Sequence, residues 1–242
     1  MKESYKSSDY FIGEISPFLL FEMEFHSLFY VVQNHKNDVY YTEINPSSQV
    51  AFIGLFGYFE AFCKHQFAAI ANIFPSLIKD FAFRRNEPTI EFSTIVSLNE
   101  KFNRNIGFLL AEKYDFGTAK AINGLFRDLV GISPFSTIDE KRFNDVATKR
   151  NLLVHHGGYY TLKYLKKFFS EEFKQTAFKH ALKIDTAEYE EISDFLFEMA
   201  VKITKQSVKT LKSKAEFKSL SQMDVRIKAV EELLKGIYDT LE

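Results

Sequence analysis

Apolar side chains recur along this chain at spacings of three and four rather than two, which predicts helices throughout. Ser16-Pro17 opens the first, an N-cap residue followed by proline at the first helical position. Leu20, Met23 and Tyr30, with Phe21, Phe25, Leu28 and Val32, continue it as a broad stripe to about Gln33. Residues 34–45 carry turn chemistry. Asn45-Pro46 then repeats the start signal for a long helix to Phe74, where Pro75 stops it. Shorter helices are expected over 76–85, 89–100, 103–113 and 117–130, the last closed by Gly131. A capping box, Ser136 with Asp139 or Thr137 with Glu140, starts a helix near 137 that ends at Gly157-Gly158. Residues 159–184 should be helical in part, Asp185-Thr186 caps a helix to about 213, and a last helix covers about 222–241. The fold class expected is all-α. An N-terminal arm and extra helix fill 1–45, the arm loosely held over 1–15. A helical domain fills 46–215, and a C-terminal helix lies in 216–242.

Composition narrows the class without changing it. Gly 10 and Pro 5 in 242 residues are too few to punctuate the many turns of a sandwich or barrel. Phe 27 against Trp 0 promises a large aromatic core, with rings to spare for a subunit interface. Lys+Arg 31 against Asp+Glu 32 gives a net charge of -1, so nucleic acid could be bound only through a local patch. One cysteine, Cys63, excludes an intrachain disulfide and a Cys-based zinc site and fits a reducing cytosol. The start MKESYKSSDY lacks the apolar run of a signal peptide, and charged residues break both apolar stretches. A cytoplasmic protein with no membrane segment is the expectation.

Chemistry concentrates in two helices. In the long helix, Gly54, Gly57, Ala61 and Ala68 make a smooth strip where another helix can approach, with Glu60 and Lys64 four apart beside it. The ordinary reading of that pair is a solvated ion pair; the functional one has it orient a polar group in a site. The stronger lead is Arg150-Asn151-Leu152-Leu153-Val154-His155, followed by His156-Gly157-Gly158. Asn151 and His155 share a helix face, and Arg150 lies five residues from His155, about 140° round the helix. Both can flank one cleft without touching. The partial negative charge of a helix C-terminus suits a cationic ring, so a His and an Arg there could hold a phosphate and move protons. The plain alternative for His155 and His156 is C-terminal capping by basic side chains.

The segment TKRNLLVHHGG, Thr148 to Gly158, resembles the R-N-x-x-x-H signature of the HEPN superfamily, in particular its bacterial abortive-infection and antiphage members. Glu60 and Lys64 match an E-x-x-x-K pattern that several HEPN families carry in an early core helix, and the likeness in helix order spans roughly residues 46–215. The resemblance implies a HEPN-like helical bundle, dimerising so that two motif helices form one composite cleft that cuts RNA without a metal ion or other cofactor. His155 would be the acid/base, Arg150 would stabilise the phosphoryl oxygens, and Asn151 would orient one of them or the ring. Glu60, Lys64 and His156 would be supporting groups. Toxins of this superfamily that are silenced by nucleotide modification carry Tyr two residues after the motif His; Gly157 stands there instead, so that regulation is not implied.

Charge is strongly polarised towards the C-terminus. Asp185 to Glu198 holds six acids and no bases, and Lys202 to Lys214 holds five lysines and no acids. Lys202, Lys205, Lys209 and Lys212 fall on one helical face, and 163–183 adds lysines interleaved with Tyr164, Phe168, Phe169 and Phe173. Such a stripe can track single-stranded RNA, or it is an ordinary solvated face whose order suits the helix macrodipole. The leading functional expectation is a homodimeric, metal-independent endoribonuclease acting as an antiphage effector or toxin, with RNA and a regulatory or antitoxin protein as partners. The alternatives are a non-catalytic HEPN-like module for dimerisation or nucleotide and partner binding, and an unrelated helical protein. A metal-dependent helical phosphohydrolase is disfavoured, because no His-Asp pair or H-x-x-x-H cluster is present.

Overall fold

A computed structural model describes residues 6–36, 46–85, 89–169 and 176–237. The protein is all-α, with eleven α-helices and no strand among the described residues. Pro17–Asn34 (α1), Pro46–Ile73 (α2) and Ser76–Arg84 (α3) are followed by Phe92–Leu98 (α4), Phe102–Ala111 (α5) and Ala119–Val130 (α6). Thr137–His156 (α7), Leu162–Phe168 (α8), Thr186–Ser213 (α9), Ala215–Lys218 (α10) and Val225–Glu232 (α11) complete the order.

Most helix ends fall where the local chemistry puts them. Pro17 opens α1, Gly131 closes α6 at φ 88°, and Gly157 and Gly158 close α7 at φ 57° and 83°, backbone that favours glycine. The Asp185 carboxylate accepts from the Glu188 N–H at 2.8 Å and caps α9. Several expectations need correction. Ser16 precedes α1, but its buried hydroxyl makes no hydrogen bond among the described residues, so it does not cap through its side chain. The C-terminal helix is Val225–Glu232, capped by Asp224, rather than the longer span expected. The cap at Asn45 lies outside the described residues.

By contact the chain divides into two compact units, each discontinuous in sequence: 1–22, 60–136 and 198–242, and 23–59 with 137–197. In the first unit Phe67 meets Phe81, Phe116 and Phe126 at centroid distances of 5.4, 5.7 and 6.1 Å, and Phe62 meets Phe18 and Phe21. Residues 6–15 are not a loose arm. They form two short 3-10 turns that bury Ser7, Tyr10 and Phe11. Ser7 donates to the buried Glu232 at 2.9 Å, and Arg104 pairs with Asp9 at 3.1 Å. Asn72 of α2 ties the Tyr10 carbonyl to the Gly107 N–H. A Cβ at Gly107 would sit 2.2 Å from the Ala68 carbonyl oxygen, so α5 crosses α2 at a point only glycine fits. That is where the small-residue strip is used. Gly57, in the second unit, faces open space instead.

The second unit contains the motif helix. Phe143 of α7 stacks on Phe56 at 5.2 Å and meets Phe59 at 5.6 Å, all three fully buried. Arg142 lies over the Phe195 ring at 4.5 Å, and Phe25 meets Phe197 at 4.7 Å, so the start of α9 is bound to α7 and α1 by aromatic contacts. After the double glycine the chain turns back. The Tyr160 N–H donates to the His180 carbonyl at 2.9 Å and the Leu182 N–H to the Gly158 carbonyl at 2.8 Å, around a single antiparallel bridge between Tyr159 and Ala181.

Candidate functional site

α7 presents its motif on two different faces. Arg150 is half-buried, and its guanidinium carbon lies 4.6 Å from the centroid of Phe56, within cation–π range. Phe56 is itself fixed by Phe143, so Arg150 is seated on the aromatic core of its unit. Asn151, His155 and His156 are exposed and face the other way, into a cavity of about 380 Å³ between α7 and α8. Thr148 and Leu152 complete the α7 wall, and Thr161, Lys163, Tyr164 and Lys167 supply the opposite one. Arg150 does not line it.

The α8 wall is held in place by identifiable bonds. Thr161 caps α8, its hydroxyl accepting from the Tyr164 N–H at 3.2 Å. Lys167 donates to the Thr148 hydroxyl at 2.8 Å and pairs with Asp145 at 2.9 Å, clamping α8 to α7. The neighbouring Lys149 pairs with Glu188 at the start of α9. The Tyr164 ring is 5% exposed and stacks on Tyr160 at 5.3 Å with 6° between planes, with Phe168 at 4.7 Å. Burial first, then the adjacent Tyr160 and the charges of Glu188 and Asp145, pushes the Tyr164 phenol well above the ordinary range. It is a neutral hydrogen-bonding group at any working pH. Among the described residues, every ionisable side chain lining the cavity other than that phenol is basic, so this lining suits an anion.

The other expected site residues belong to the first unit. Glu60 and Lys64 are half-buried on α2. The Glu60 carboxylate abuts Gly117, where a Cβ would meet Oε1 at 2.8 Å. The same charges act on their own neighbours: burial and then Glu60 push the Cys63 thiol up, and burial and then Lys64 push the His65 imidazole down. Lys205, Lys209 and Lys212 are exposed on α9, with Lys202 half-buried on the same face. Among the described residues, no group of three or more His, Cys, Asp or Glu side chains is gathered closely enough to hold a metal ion. No helix there is long and apolar enough to cross a membrane.

Thr161, Lys163 and Lys167 were not singled out as site residues by the motif reading. Their signal is the Lys-x-x-x-Lys spacing after a Thr cap, which puts two ammonium groups on one face of α8. Nothing in the sequence says which helix that face meets. No family model matches the chain, and neither does any curated protein or solved structure.

Proposed function

We propose that this protein is a metal-independent endoribonuclease of HEPN type, active as a homodimer in the cytoplasm as an antiphage effector or toxin. The observation that carries the reading is the pairing of Asn151 and His155 on the open wall of a basic cavity at the end of α7. His155 takes the proton of a ribose 2′-hydroxyl as that oxygen attacks the adjacent phosphorus. The 2′-O–P bond forms, the P–O5′ bond breaks, and the proton is delivered to the departing 5′-oxygen. The products are a 2′,3′-cyclic phosphate and a 5′-hydroxyl end, and DNA, lacking the 2′-hydroxyl, is not cut. Asn151 orients a phosphoryl oxygen or the imidazole, and Arg150 stabilises the charge that builds on the phosphoryl group. Arg150 does not line its own subunit's cavity, which favours a composite cleft in which a second copy completes the arrangement. Glu60, Lys64 and His156 are supporting groups in this reading. The Lys202, Lys205, Lys209 and Lys212 face is a further RNA contact in this reading, and a regulatory or antitoxin protein restrains the enzyme.

One observation favours a second reading. The Arg150 guanidinium rests on Phe56, an arrangement that serves packing without chemistry. In that reading the chain is a non-catalytic HEPN-like module whose cavity binds a nucleotide or a partner. Incubating a mixed RNA pool with purified protein in EDTA, beside His155→Ala of equal fold and oligomeric state, separates the two. Cutting with cyclic-phosphate ends that His155→Ala abolishes supports the nuclease. If neither protein cuts, and expression toxicity is not relieved by His155→Ala, the binding module stands.

A further inference from the structure

Within the second unit, residues 23–34 of α1 and 46–59 of α2 lie side by side. Glu24 is the hydrogen-bond partner of the Tyr58 hydroxyl, and a Cβ at Gly54 would touch the Leu28 side chain at 3.5 Å. Glu24 against Tyr58 and Leu28 against Gly54 make the pair antiparallel. Its inner side is accounted for: Phe25 meets Phe197, Gln33 donates to Glu190, and Phe56 stacks on Phe143. Its outer side is open. Met23, Tyr30 and Val31 stand out on α1, and Val50 and Tyr58 on α2, with Tyr30 71% and Val50 68% exposed. On each helix these positions fall two turns apart, so each set marks one stripe. Gly57 belongs to the α2 stripe, and a Cβ there would meet nothing within 4 Å.

This face is almost without charge. The two segments hold no Lys or Arg, and with histidine neutral their one charge is Glu24, which Tyr58 engages. Charged residues make up 26% of the chain, so the exclusion is local. A nucleic acid or an anionic lipid surface would find no cation here, and a charged protein partner no counter-charge. A second copy of the chain brings the same apolar, tyrosine-bearing patch. The two copies can meet across a two-fold axis without setting like charges against each other. At 1.5 Å rise per residue and ~10 Å per helix, the face measures about 20 Å each way, on the scale of the ~800 Å² that each partner gives to a standard interface.

We infer that the α1–α2 face of the second unit is a self-association surface, packing on the same face of a second copy as four helices in two antiparallel pairs. The inference does not rest on the ribonuclease reading. It is also separate from the composite cleft. Phe56, on which Arg150 rests, is fully buried on a different side of α2 from the open Val50 and Gly57. This contact is therefore additional to any pairing through α7.

Sedimentation velocity of the full-length protein between ~1 and ~100 µM reads the association. Gly57→Lys is the main variant: its side chain enters open space and lysine is the better helix former, so the fold is kept. It should weaken association by at least ~100-fold, the effect of a charge buried in an apolar contact, while the melting temperature of the dilute protein holds or rises. Val50→Glu should behave alike, and Phe83→Glu, exposed in the first unit, should leave association unchanged. A nitroxide on Asn34→Cys, at the exposed end of α1, locates the contact, because the native Cys63 is buried and does not take the label. Label pairs should report one distance under ~40 Å, four helix diameters, and Gly57→Lys should abolish it. Three outcomes overturn the surface: a wild-type protein that is monomeric throughout, a Gly57→Lys protein that associates as tightly as wild type, or association with no label pair within that distance.

Discussion

The two faces of α7 carry neighbouring residues to opposite fates. On one, Phe143 and Arg150 pack with Phe56 into an aromatic core. On the other, Thr148, Asn151 and His155 stay open to a basic cavity closed by α8. The five-residue step from Arg150 to His155 turns the helix by about 140°, enough to put one side chain on the core and the other on the cavity. Within one subunit of this protein, the R-N-x-x-x-H string therefore does not face a single cavity. It sets a half-buried arginine beside a cavity pair, and in the proposed nuclease Arg150 reaches the chemistry only if a second copy brings the faces together.

The largest effect should come from the cavity face. His155→Ala is expected to lower RNA cleavage by ~10²–10⁴-fold, the usual worth of a positioned acid/base, with no change in melting temperature because the side chain is exposed. On the core face the size is similar but the quantity differs. Phe143→Ala removes a fully buried ring that holds Phe56 and Phe59, and should cost about 3–5 kcal/mol by denaturant unfolding. Between these, Lys167→Met tests the clamp across the cavity. Losing the contacts to Asp145 and Thr148 should cost about 0.5–1 kcal/mol and raise protease sensitivity near residue 169. The smallest concerns pH. Because the Tyr164 phenol is held neutral in the fold, an unfolded chain loses that proton first, near its ordinary value of 10.0. Stability from this group is complete below pH 10 and falls as pH rises above it. Tyr164→Phe should flatten that alkaline fall in unfolding free energy, and an unchanged slope would mean that the ring is not buried as described.

Legibility followed locality. Pro17, Gly131, Gly157-Gly158 and Asp185 mark their helix ends through backbone preferences that act within a turn, so each could be read in sequence. The aromatic core was legible in kind, because so many phenylalanines have few other places to go. Residues 6–15 looked loose because their hold is not local: Ser7 meets Glu232, and Asp9 meets Arg104, far along the chain. α8 was hidden for the same reason. Its face acquires meaning only when the Gly158–Leu182 bond folds the chain back and Lys167 finds Asp145. Glu60 and Lys64 read as a pair by spacing, yet their charges fall on Gly117, Cys63 and His65 of their own unit.

The most direct test is the rate of RNA cleavage in EDTA per folded molecule for Arg150→Ala beside its melting temperature. If a second copy carries Arg150 into the cleft, cleavage falls by ~10²–10³-fold. The melting temperature drops by a few degrees as the ~0.5–2 kcal/mol contact with Phe56 is lost. An Arg150→Ala protein that melts lower but cuts at the wild-type rate would contradict the shared-cleft reading and leave Arg150 as core alone.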